Sequence, residues 1–180
     1  MKRTVLIFGL ISGVISSVLM AATMPFVDKL GESMGLILGY TTIVLSFLLV
    51  YFGIRSYRDN VGGGRISFGK AFSVGILITL ISCVFYVAAW EVLSYKFMPD
   101  FADKYAAQDV ARLKASGASA DAVQKETEKM EEFKVQYAKP WYNMAMTFIE
   151  PFPVGLVITL ISAAVLRRKD PVESGLPVAG

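Results

Sequence analysis

Four stretches of about 20 apolar residues divide this 180-residue chain, and they restrict its fold more than any other feature. A helix rises about 1.5 Å per residue, so roughly 20 residues cross the roughly 30 Å of hydrocarbon in a bilayer. The stretches run from about 5 to 24, 34 to 54, 71 to 93 and 142 to 166, and each predicts a transmembrane helix. Composition agrees. Hydrophobic residues make up 54% and charged residues 18%, with a mean hydropathy of +0.53, whereas soluble domains carry about 25% charged residues.

The first stretch follows Met1-Lys2-Arg3, the kind of start a secretory signal also has. Its apolar run is longer than such a signal's, and no small-x-small cleavage site precedes Pro25, so it reads as an uncleaved anchor. Gly9, Gly13 and Ser17 fall four apart on one helical face, a small-residue stripe whose expected role is close helix packing. A polar link around Asp28-Lys29 and Glu32 leads to the second stretch. That stretch ends in Tyr51 and Phe52, aromatic residues suited to the headgroup level. The loop from Arg55 to Lys70 holds Gly62-Gly63-Gly64 and sets four basic residues against one acid, Asp59.

Trp90 and Tyr95 mark the far end of the third stretch as interfacial aromatics. Pro151 and Pro153 lie in the first half of the fourth and predict a kink or a helix restart. Arg167-Arg168-Lys169 closes it, and residues 170–180 are expected to be a disordered tail.

Between the third and fourth stretches, residues 96–140 carry eight basic and eight acidic side chains. Phe101, Tyr105 and Leu113 recur at near-helical spacing before the stop at Ser116-Gly117. Past the cap Ser119, the residues Val123, Thr127, Met130, Phe133 and Tyr137 step by four, three, three and four. Two facing stripes on charged helices predict a helical hairpin outside the membrane.

Orientation follows from the flanking cations. With four spans, Lys2, Arg3, Arg55, Arg58, Arg65, Lys70, Arg167, Arg168 and Lys169 share one side, while the short opposite link offers Lys29. The positive-inside rule puts both termini in the cytoplasm. The fold expected is all-α: a four-transmembrane-helix bundle with an extracytoplasmic helical hairpin between helices 3 and 4, residues 1–169 forming one integral membrane domain.

Chemistry is restricted by what the chain lacks. There is no histidine, and the single cysteine, Cys83, sits inside an apolar stretch. No disulfide, Cys–His pair or Ser–His–Asp triad can be built, so no catalytic residue, metal site or cofactor is expected, and the chain is not expected to be an enzyme. Its pI near 8.9 would suit a nucleic-acid binder, but the cations cluster beside the apolar stretches, and no nucleic-acid partner is expected. Gly64-Arg65-Ile66-Ser67-Phe68-Gly69-Lys70-Ala71 nearly matches a nucleotide-binding loop. Ala71 stands where the magnesium-binding hydroxyl is required, so no nucleotide is expected, and Ser67 reads as the cap of the third helix.

Two acids stand out, Glu91 near the outer end of the third stretch and Glu150 in the outer part of the fourth. Ionisable groups within a membrane often mark ion or proton paths. The competing reading is that both are hydrated at the headgroups. An internal echo accompanies them: residues 72–82 and 152–162 are identical at eight of eleven positions and would cross the membrane in opposite senses. Inverted repeats occur in transporters, but this one covers three turns, and Gly75, Thr79, Gly155 and Thr159 read more simply as packing faces.

The residues Tyr57-Arg58-Asp59, the glycine run, Ile66 to Phe72, Val74-Gly75, Met98 to Phe101, and Pro153-Val154-Gly155 to Lys169 together resemble a bacterial membrane-protein family, domain of unknown function 4199. The resemblance covers nearly the whole chain and implies a four-helix bacterial membrane protein; with no eukaryotic targeting signal in the sequence, the bacterial inner membrane is the expected location. The resemblance implies no activity. The function expected is that of a structural or interaction protein, whose partners are the lipid bilayer and a protein, or its own copy, met through the hairpin. The alternative is a small oligomeric transporter or channel subunit using Glu91 and Glu150.

Overall fold

The computed structural model describes residues 1–30 and 32–168, and the side chains of these apart from 25–33. Seven helices follow one another among the described residues: α1 Lys2–Leu30, α2 Glu32–Asn60, α3 Phe68–Phe97, α4 Phe101–Ala115, α5 Ala120–Tyr137, α6 Pro140–Ile149 and α7 Pro151–Leu166. No strand forms among them, and Ile66 and Arg168 make one isolated bridge. Four spans are long and apolar enough to cross a membrane: Lys2–Met24, Met34–Asn60, Phe68–Phe97 and Pro140–Leu166, the last formed by α6 and α7 in series.

Of the polar link expected around Asp28-Lys29 and Glu32, Asp28 and Lys29 belong to the last turn of α1 and Glu32 opens α2. In the fourth span the restart expected from the prolines is present: α6 ends at Ile149 and α7 begins at Pro151. Pro151 has no N–H to donate to the Thr147 carbonyl, which ends the ladder there. The expected tail at 170–180, with Lys169, lies outside the described residues.

The described residues form two compact units, one of residues 1–85 with 152–168 and one of residues 86–151. In the first unit, glycines let helices approach closely. A Cβ on Gly9 would sit 2.9 Å from Ile81, and one on Gly13 would sit 2.7 Å from Phe85. Ser17 Oγ completes that stripe by donating to the Phe85 carbonyl at 3.3 Å. The core beside it is Ile43, Phe47, Val50 and Ile54 on α2 with Val74 and Ile78 on α3, all nearly inaccessible. Buried hydroxyls find carbonyl partners: Ser12 donates to Ser46 O at 2.9 Å, and Ser46 to Thr42 O at 2.8 Å.

The echoed segments meet each other. Thr79 Oγ1 and Thr159 Oγ1 lie 3.0 Å apart, and both residues are fully buried. A Cβ on Gly75 would lie 2.7 Å from Thr159 Cγ2, and one on Gly155 would lie 2.4 Å from Thr79 Cγ2. Each segment's glycine thus receives the other's threonine methyl, a reciprocal antiparallel contact about a local two-fold axis at the threonine pair. Close approach of this kind is what holds helices together where lipid removes the hydrophobic driving force.

At the other end of α3 and α7, Ser67 Oγ accepts from the Lys70 amide at 3.3 Å and caps α3. Gly63 and Gly64 turn the chain at φ of 59° and 83°, values that favour glycine.

The second unit contains α4 and α5, packed side by side. Gly117 at φ 79° stops α4, and Ser119 Oγ accepts from the Ala122 amide at 3.3 Å to start α5. Aromatic rings join the pair, Tyr105 to Phe133 at 5.5 Å and Phe101 to Tyr137 at 5.8 Å. Lys134 Nζ bridges to Asp103 at 3.1 Å. Thr127, assigned to the facing stripe from its spacing, is exposed and bonds back to the Val123 carbonyl. The facing position in that turn is the half-buried Glu126.

Candidate functional site

The second unit also gathers a polar cluster from three helices. On α3, Tyr86, Trp90 and Ser94 step by four and are buried together. On α6, Asn143 and Thr147 do the same. Between them in the chain, α5 delivers Tyr137 from its last turn. These are helical repeats of polar-tipped side chains on inward faces, so their polar atoms need internal partners.

The partners are present. Trp90 Nε1–H donates to the Tyr137 hydroxyl at 2.8 Å, and the Phe101 ring meets the indole edge-on at 4.8 Å. Asn143 also hydrogen-bonds Tyr137, and Thr147 Oγ1 donates to Asn143 Oδ1 at 3.2 Å. Tyr86 donates to Glu150 Oε2 at 3.0 Å. Burial pushes the Tyr137 phenol up to about 12. Hydrogen bonds from Trp90 and Asn143 oppose that shift, and the negative fields of Glu91 and Glu150 add to it. Both acids singled out from sequence therefore act on one hydroxyl.

Their own settings differ. Glu150 lies at the joint between α6 and α7, exposed on the surface apart from its bond to Tyr86. Glu91 is half-buried, and its Oε1 atom is inaccessible and has no hydrogen-bond partner among the described residues. The packing residues named from sequence, Gly9, Gly13, Ser17, Gly75, Thr79, Gly155 and Thr159, all belong to the first unit. No group of three metal-ligating side chains gathers among the described residues. What this cluster can do chemically is hold protons and hydrogen bonds at the end of two spans.

Sequence reasoning marked Trp90 as an interfacial aromatic; in the structure it is 6% exposed and packed within the protein. Its indole is covered by Phe101 and anchored by Tyr137, partners on elements that follow it in the chain. Tyr86, Tyr137, Asn143 and Thr147 were missed as a set. The spacing of four between Asn143 and Thr147 inside an apolar stretch was the available signal.

Four spans long and apolar enough to cross a membrane give the class: a multi-pass helical membrane protein. Within that class the chain belongs to the family described as protein of unknown function (DUF4199), which matches residues 7–168. Neither a curated protein nor a solved structure matches it.

Proposed function

We propose that this chain is a non-enzymatic interaction protein of the bacterial inner membrane, with both termini in the cytoplasm and the α4–α5 pair displayed on the far side. The observation that carries the reading is the closure of α4 and α5 on themselves. Their rings and the Lys134–Asp103 bridge use up the inner faces, so the charged outer faces are left for solvent or a protein. The base of the pair is marked by exposed aromatics, Tyr95 at 84%, Phe97 at 72% and Trp141 at 64%, as residues seated at a headgroup layer would be.

The test is photo-crosslinking in cells from positions on the outer faces of α4 and α5. A discrete adduct, either a partner or a second copy, is expected. A monomer with no adduct at any position sinks the reading. Sidedness is checked by placing one cysteine at Ser116 and, separately, at Ser56, in a Cys83→Ser background. A membrane-impermeant maleimide is expected to label the first from outside the intact membrane and not the second.

A transporter or channel subunit is the second reading, favoured by the unpartnered Glu91 Oε1. It requires that Glu91→Gln or Glu150→Gln change proton or cation flux in vesicles containing the protein. Unchanged flux removes it.

A further inference from the structure

The α4–α5 pair has two flanks, and they differ. On one, the rings of Tyr105 and Phe133 close the seam. On the other, Lys134 Nζ closes it by holding Asp103 at 3.1 Å and Glu131 at 2.8 Å. From Asp103, steps of four, four and three along α4 reach Ala107, Ala111 and Lys114, which helical geometry places on that same flank. From Lys134, steps of three and four back along α5 reach Glu131 and Thr127. All of these but the half-buried Lys134 are exposed, and Val135 beside them is 64% exposed. The flank is charged at its ends and small in its middle.

That pattern is self-complementary. A second copy turned by half a revolution about an axis lying along the pair sets its α5 over α4 and its α4 over α5, antiparallel in both places. Asp103 of each copy then comes opposite Lys134 of the other, so the two intrachain bridges join into a square of alternating charges. Ala111 comes opposite Thr127, side chains small enough for helix axes about 8–10 Å apart. Lys114 comes within a turn of Glu128 of the other copy. A partner carrying charge of one sign would match either Asp103 or Lys134 and oppose its neighbour, whereas a second copy matches both.

We propose that this flank docks on the same flank of a second copy, making an antiparallel four-helix bundle from two α4–α5 pairs about a two-fold axis. The proposal rests on the reading of the pair as an interaction element and names what that element meets.

The test uses two differently tagged full-length chains, coexpressed and both Cys83→Ser, one with Ala111→Cys and the other with Thr127→Cys. Mild oxidation of the membranes is expected to link them. Lys125→Cys in place of Thr127→Cys, on the other side of α5, should give no link. Asp103→Lys in both chains, or Lys134→Glu in both, should lower the yield of link about tenfold, because two attractive pairs across the axis become repulsive. Asp103→Lys in one chain with Lys134→Glu in the other should restore it. Opposite charges then face each other across the axis while the bridge inside each chain stays broken, so a purely intrachain role for the bridge gives no such recovery. No link between chains of native charge, or a mixed pair linked no better than either variant alone, overturns the proposal. A link that both charge reversals leave unchanged overturns it too. If crosslinks from α4 and α5 lead to a different protein while the copies stay unlinked, the interaction reading stands and this inference falls.

Discussion

In the first unit, α1, α2, α7 and the early part of α3 touch through glycines and threonine methyls; in the second, α4 and α5 touch through aromatic rings and an ion pair. On the proposed topology, the difference tracks the solvent each must exclude. Lipid tails are as apolar as leucine, so helices within a bilayer gain little by burying large side chains and gain more from close backbone contact. Water rewards the burial of large rings. One chain therefore carries two packing codes, and the charged segment keeps the one suited to water.

Enlarging a glycine should break the first code most severely. Gly155→Leu drives a side chain into Thr79 and Phe47, which a Cβ alone would already approach to 2.4 and 2.9 Å. A loss of about 3 kcal/mol is expected. Thermal unfolding in detergent checks it, followed by the maleimide reactivity of Cys83, the buried thiol that reports on this unit. The milder Gly155→Ala should be partly rescued by Thr79→Ser, which removes the clashing methyl and keeps the hydroxyl.

Breaking the second code calls for the opposite change. Phe133→Ala removes ring contacts to Tyr105 and Tyr137 and should cost about 2 kcal/mol. Both tryptophans of the chain, Trp90 and Trp141, lie in the second unit, so their fluorescence should report this loss while Cys83 stays protected. Cys83 exposed in step with the fluorescence change would show that the two units unfold as one, and the comparison would fail.

A smaller effect is expected at Tyr137. Tyr137→Phe leaves the Trp90 indole N–H without its acceptor and should cost about 1 kcal/mol. The pH dependence has a definite sign. The folded phenol titrates near 12 and the unfolded one near 10, so its stabilising effect is complete below about pH 10 and is lost as pH rises toward 12. Tryptophan fluorescence of wild-type protein should show this alkaline limb, and the Phe variant should not. Smallest of all, a double-mutant cycle on Thr79 and Thr159, each changed to Ala, should give a coupling of about 0.6 kcal/mol.

The spans were legible because bilayer thickness sets a length, and length is a property of sequence. The helix restart at Pro151 was legible for a similar reason: a missing N–H is written in one residue. The helical backbone of Asp28 and Lys29 was not, because charge suggests solvent without specifying backbone conformation. On α5, a period of 3.6 leaves position 126 or 127 open as the facing residue, and packing against α4 decided between them. Glu91 and Glu150 were conspicuous as acids in apolar stretches. Their common neighbour Tyr137 was not, because Trp90 and Tyr137 are 47 residues apart and Tyr86 and Glu150 are 64 apart. Local patterning carries no record of such encounters.

The reciprocal contact between the echoed segments also has a genetic meaning. Position 75 is read against 159, and position 155 against 79, so two short, widely separated stretches of the gene act as one locus. A substitution that adds volume at either glycine should be tolerated chiefly alongside one that removes volume at the opposing threonine. Libraries that randomise the four codons together should recover paired solutions that single-site scans miss.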